Sequence, residues 1–289
     1  MTGATKKAQV AVIGAGKLGS ACAEALIDAS DLALAGIVRR PQSQHALGGR
    51  LQRFAVVTHV RDLPLVDVVL VCVPNDAALG VTRELLQARI PLVECAALAD
   101  HELASYYATL DNVAKDHRVT AIIGAGWNPG VLPLFTRAFE ILIPHGHSVS
   151  HRHPGVNLHH SAVAAAVPGV QGALAGEYRG EDGALQRYVY VELQRGADFD
   201  QVSARISADP LFAGESTQIF ELSALSELEA QDGQGMVLER HAVAKTGMHA
   251  SLLLEARFEI NAFAARVMLD AVRRIPALHH GAHRYALGI

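Results

Sequence analysis

The sequence predicts an α/β fold, a doubly wound parallel sheet with helices on both faces, joined to a second, α+β domain. Three observations predict it. An apolar run from Val10 enters the glycine turn Gly14-Ala-Gly-Lys-Leu-Gly19, and a helix-forming stretch over 20–27 follows. Strand and helix patterns then alternate over roughly the first 120 residues. After the segment 124–130, Gly-Ala-Gly-Trp-Asn-Pro-Gly, that rhythm gives way to strands alternating with period two. The expected division is a first domain over 1–124, completed by 259–289, and a second domain over 125–258.

The turn comes first. In the pattern G-x-G-x-x-G, Gly14 allows a tight turn, Gly16 lets a pyrophosphate approach the backbone, and Gly19 lets helix and strand pack closely. With Lys17 and Leu18 it opens a helix whose exposed amides attract phosphate. This is the nucleotide-binding turn of a Rossmann-type sheet; the bland alternative is a strand–turn–helix connection in an α/β core.

The second strand, 32–38, ends in Arg39-Arg40. An NAD enzyme usually places a carboxylate here for the ribose diol. A guanidinium fork suits a 2′-phosphate instead, so the expected coenzyme is NADP(H). The alternative is a pair of solvated arginines opening a loop. A short third strand is expected at 56–58. The run 66–73 is the clearest buried strand, and Val73, Pro74 and Asn75 follow at the carboxyl edge, where ligands lie in open α/β sheets. A helix over 80–88, a strand over 91–96, a helix over 106–116 and a sixth strand over 119–123 complete the series.

At the carboxyl end of that sixth strand stand the only tryptophan, Trp127, and the turn Asn128-Pro129-Gly130. A substrate would meet a nicotinamide at this place. The alternative is a hinge between domains with Trp127 as packing. Beyond it a helix is expected over 132–142, a histidine-rich strand region over 145–161, strands over 186–193, 217–222 and 237–243, and a helix over 198–207. The stretch 250–271 reads as one long apolar helix returning to the first domain.

The composition excludes several classes. A chain of 289 residues has ample core for one large or two modest domains. A net charge of −4 offers no field for nucleic acid. No apolar run is long enough to span a bilayer, and residues 1–7 lack a signal-peptide core. The three cysteines, Cys22, Cys72 and Cys95, lie in apolar surroundings without a framework spacing, as in a reduced, cytoplasmic protein. His145, His147, His151 and His153 are spaced to share strand faces, yet no carboxylate or cysteine joins them within the segment, so no metal site is expected.

The motifs resemble those of the meso-diaminopimelate dehydrogenases. The resemblance rests on Gly14-Ala-Gly-Lys-Leu-Gly19, Arg39-Arg40, Gly126-Trp-Asn-Pro-Gly130, and the block 154–171, which keeps two Pro-Gly turns, a His-Ser pair and a closing Gln. It implies NADP-dependent oxidative deamination at the D-centre of a diamino dicarboxylate, a small amino-acid substrate, with a place in lysine biosynthesis and a homodimer of two-domain subunits. It also implies roles. Trp127 walls the pocket, Asn128 stands at the reacting amine, His160, Ser161 and Asn157 hold polar groups of the substrate, and Arg187 clamps a carboxylate. Gly235-Met236 and His241 resemble a later family stretch.

There are departures. Asn128 replaces an aspartate that holds the reacting amine, and asparagine cannot supply its charge. Leu238 replaces a histidine. The aspartate after the fifth strand has no clear match, with Glu94 and Asp100 the nearest carboxylates. These leave open an NADPH-dependent imine or carbonyl reductase on the same scaffold, or a non-catalytic NADP(H)-binding sensor.

Overall fold

The computed structural model describes residues 7–40, 47–98, 100–153, 158–179, 185–214, 216–229, 235–243, 250–257 and 259–287. In chain order the elements are β1 (Ala8–Ile13), α1 (Lys17–Asp28), β2 (Leu32–Val38), β3 (Val56–Val57), β4 (Val68–Val71), α2 (Asn75–Gln87), β5 (Leu92–Glu94), α3 (Asp100–Asp116), β6 (Thr120–Ile123) and α4 (Val131–Leu142). Then come β7 (Gly146–His153), α5 (Leu158–Ala165), β8 (Val170–Arg179), β9 (Leu185–Leu193), α6 (Phe199–Ala208), β10 (Ser216–Leu222), α7 (Ser226–Glu229), β11 (Gly235–Ala242), β12 (Ser251–Arg257), α8 (Ile260–Arg274) and β13 (Gly281–Arg284).

The chain divides into two units, residues 1–137 with 260–289, and residues 138–259. The first is the Rossmann-type sheet the glycine turn predicts. Its strands lie in the order β13-β6-β5-β4-β1-β2-β3, and every pairing is parallel. Order reverses beside β1, which places the glycine turn at the crevice where such sheets take ligands. Successive strand residues face opposite sides. Val69 and Val71 therefore join Leu85, Leu86 and Leu110 beneath α2 and α3. On the other side α1 packs along α8, with Cys22 Sγ 3.7 Å from Met268 Sδ.

The second unit holds two three-stranded sheets, β10-β9-β8 and β12-β11-β7. In the first, β8 and β9 are antiparallel, while β9 and β10 run parallel with α6 as the crossover. The α6 helix starts at a cap, with Asp198 Oδ1 accepting from Gln201 N–H at 3.0 Å. Ala164, Val189, Val191, Val202 and Ile206 form the core beneath α5 and α6.

Three expectations need correction. The stretch read as one helix over 250–271 is a strand and then a helix. Ser251–Arg257 pairs antiparallel with β11; the short apolar run 252–254 fits helix and strand alike, and only a pairing partner decides it. Helices α2 and α3 begin several residues before the expected 80 and 106. Strands β8 and β13 were not expected at all. The first begins beside a Pro-Gly turn, and the second is four residues long with a glycine at its start.

Candidate active site

The glycine turn is built as its residue types require. Gly14 has φ of +101°, and a Cβ there would lie 2.2 Å from the carbonyl oxygen of Cys72. Gly16 is the opposite case. It is the N-cap of α1, exposed, and a Cβ on it would meet nothing within 4 Å. Lys17 follows in the open, Leu18 is half-buried, and the first turn carries no acidic residue. The exposed amides of this helix start thus face open space with positive polarity.

Beside the turn lies a cavity of about 380 Å³ lined by Ala15, Ser20, Glu24, Arg39, Gly48 and Leu51, among others. Arg39 is half-buried at its wall and Arg40 is exposed. An open glycine at the start of α1 and a guanidinium at the wall of the cavity beside it fit a phosphorylated dinucleotide.

The loops leaving β4, β5 and β6 are joined to each other. The Asn75 side chain closes on a peptide unit, its Nδ2 donating to Ala97 O at 2.6 Å and its Oδ1 accepting from Ala97 N–H at 3.0 Å. Val73 is half-buried and Pro74 exposed on the same loop. Glu94, the last residue of β5, is 1% exposed. Its Oε2 accepts from Ala96 N–H at 2.7 Å and its Oε1 from Gly124 N–H at 3.1 Å. Burial pushes the Glu94 carboxyl up to about 7, against the two amides that lower it. Burial likewise raises the Cys95 thiol and the Tyr106 phenol beside it.

The loop after β6 is held by its own backbone. Gly126 N–H donates to Pro129 O at 3.0 Å, and Leu132 N–H donates to Trp127 O at 2.9 Å. The Trp127 indole is 4% exposed and meets Phe263 of α8 edge-on at 5.1 Å between ring centroids. Asn128 is exposed, before a cis bond to Pro129. The first unit therefore brings the glycine turn, the Asn75 loop and the Trp127–Asn128 loop to one carboxyl edge.

In the second unit, His160 and Ser161 lie on α5 and Arg187 on β9, all buried. His160 meets Phe212 edge-on at 5.2 Å, and Ser161 Oγ accepts from Ala175 N–H at 2.8 Å. Arg187 shares the strand face of Val189 and Val191 and is 4% exposed. Leu238 is buried in β11, two residues after buried Met236. His241 stands 2.7 Å from Glu239 and near the His147 ring. Asn157 lies outside the described residues. Among those described, no group of three or more His, Cys, Asp or Glu side chains is placed to hold a metal, and no helix is long and apolar enough to cross a membrane.

Sequence reasoning did not find the two stitches between loops. Asn75, expected as a coenzyme contact, holds the Ala97 peptide unit with its side-chain amide. A carboxylate closing the apolar run Leu92-Val-Glu94 was the one available signal, since a charge there needs partners.

Residues 8–95 match a family described as an oxidoreductase family with an NAD-binding Rossmann fold. The meso-diaminopimelate D-dehydrogenase of Bacteroides fragilis is 30% identical over 270 residues, spanning 93% of this chain and 89% of that one. A solved meso-dapdh mutant with DAP, from Clostridium tetani, superposes with a TM-score of 0.59 at 18% identity, over 96% of this chain and 93% of that one. An engineered D-amino acid dehydrogenase bound to NADP+ gives 0.58 at 17% identity, over 96% and 93%. At these identities the two structures speak to the fold.

Proposed function

The chain belongs to the family of meso-diaminopimelate D-dehydrogenases, and on that premise we propose that it is an NADP-dependent dehydrogenase acting on the CH–NH2 group of an amino acid. The observation that carries this reading is the shared sheet edge. An open glycine turn with its Arg39-lined cavity and the Trp127–Asn128 loop leave the same end of one parallel sheet.

Bound nicotinamide would supply the hydride acceptor in deamination, or the donor in reductive amination. Gly14, Gly16, Lys17, Leu18 and Gly19 would seat the pyrophosphate, and Arg39 with Arg40 the 2′-phosphate. Val73, Pro74 and Asn75 would border the crevice through their backbone. The substrate would pass hydride from Cα to the coenzyme and a proton from its nitrogen to water, becoming an imine that water would convert to a carbonyl and ammonia. The protein orients the carbon and stabilises charge. Arg187 would take a substrate carboxylate as a bidentate pair. His160, Ser161 and Asn157 would hold its other polar groups, Trp127 would wall the reacting carbon, and the Asn128 amide would stand at the nitrogen. On this reading the second unit, residues 138–259, forms the substrate and dimerisation domain of a cytoplasmic homodimer.

Asn128 favours a second reading. A neutral amide suits an imine or carbonyl better than an ammonium group, as in an NADPH-dependent reductase. One assay separates the two. Purified protein with NADP is scanned at alkaline pH against D- and L-amino acids, diamines and meso-diaminopimelate, following the absorbance of reduced coenzyme. Turnover of an amine supports the dehydrogenase. Silence across the panel, with NADPH consumed on imines or ketones, replaces it with the reductase.

A further inference from the structure

Glu94 is buried at the end of β5. Its oxygens go to two backbone amides on different loops, Ala96 N–H after β5 and Gly124 N–H after β6. Its own carbonyl accepts from Ala125 N–H at 2.8 Å. Three bonds therefore tie one residue to both segments. Gly124 and Ala125 open the loop that closes on itself through Gly126 and Pro129 and carries Trp127 and Asn128.

We propose that Glu94 is a positioning residue: its carboxylate fixes the start of the 124–130 loop and so sets where Trp127 and Asn128 stand at the sheet edge. This rests on the proposed dehydrogenase reading for its catalytic consequence, but not for its structural one.

The chemistry is a matter of acceptor strength. An ionised carboxylate accepts both amide hydrogens as charge-assisted bonds. Adding a proton turns one oxygen into a donor and weakens its hold on the amide it faces. Burial places the Glu94 carboxyl at about 7, so both forms are populated near neutrality. The ionisable groups around it are Cys95 on the same loop and Tyr106 and Tyr107 from α3. All three are raised by burial and stay neutral there. Arg284 of β13 lies over the Tyr107 ring at 4.2 Å. A step in loop position near neutrality is thus Glu94's own.

Trp127 is the only tryptophan in the chain, so its emission reports this loop directly. The experiment follows emission of the full-length protein, free of coenzyme and substrate, from pH 5.5 to 8.5. The expected result is a sigmoid with its midpoint near 7 in the wild type, a flat trace in Glu94→Gln, and a displaced midpoint in Glu94→Asp, whose shorter side chain cannot reach both amides. Histidines also titrate in this range, but neither substitution touches one. A Glu94→Gln trace that keeps the wild-type step overturns the proposal. Should Glu94→Gln fail to fold, an unmoved midpoint and unchanged emission in Glu94→Asp overturn it equally. In turnover, Glu94→Gln should lose roughly 10- to 100-fold in kcat, the scale of a small misplacement, with little change in KM. An emission step that Glu94→Gln abolishes, in a protein that deaminates nothing, sinks the dehydrogenase reading and leaves Glu94 in its role. Deamination with the same emission trace in both proteins does the reverse.

Discussion

A Cβ on Gly19 would lie 2.0 Å from the carbonyl oxygen of Gly14, so α1 and the glycine turn touch through backbone alone. Gly16, between them, has open space. The two positions should therefore fail differently. Gly19→Ala should destabilise the fold by roughly 2–4 kcal/mol through overpacking, with coenzyme affinity falling as a consequence. Gly16→Ala should change the unfolding midpoint little and weaken dinucleotide binding at least ~10-fold. Thermal melts and coenzyme titrations on both variants check this. Equal loss of stability in the two would refute the assignment of the open face.

Replacing Arg39 and Arg40 by alanine should weaken NADPH far more than NADH. A charge-assisted bond to phosphate contributes about 1.5–3 kcal/mol, or roughly 10- to 100-fold in Kd. Fluorescence titration of both reduced coenzymes measures it. Parallel loss for the two would show that the arginines do not read a 2′-phosphate.

Asn128→Asp restores a negative charge beside Trp127 on an exposed turn. It should raise kcat/KM for oxidation of meso-diaminopimelate by ~10-fold or more, because a carboxylate can pair with the ammonium group and take its proton. No gain, with unchanged melting temperature and NADPH affinity, would count against a dehydrogenase diverged at this one group.

Glu94 also sets a dependence of stability on pH. Its carboxyl moves from an ordinary 4.5 to about 7 in the folded protein. Between those values the folded chain keeps a proton that the unfolded chain has released. Its contribution is therefore full below pH ~4.5, fades as pH rises toward 7, and is constant above. The difference in unfolding free energy between wild type and Glu94→Gln should shift by about 3 kcal/mol across that window. Urea titrations at pH 4.5, 6 and 8 would expose a flat difference, which the burial of Glu94 forbids.

The first unit was the more legible half. Gly14, Gly16 and Gly19 announce one turn by spacing alone, and the run Val68–Val71 is buried on both faces, so its composition suffices. The second unit was harder, because Ser251–Arg257 is as apolar as the helix after it and its strand character lies in pairing with β11. The site divides the same way. Arg39 and Trp127 stand out as residue types at known strand ends. The stitches Asn75–Ala97 and Glu94–Gly124 join side chains to backbone amides that carry no signature in sequence.

The nucleotide-binding unit is interrupted: its chain departs at residue 137 and resumes at 260, and α8 and β13 supply the flank of α1 and the strand bordering β6. During synthesis, α1 leaves the ribosome long before its partner helix exists. The inserted segment 138–259 emerges whole in the meantime, with a core of its own. Vectorial growth thus lets the later-encoded unit mature first, and α1 and β6 gain their neighbours α8 and β13 only once that unit has emerged.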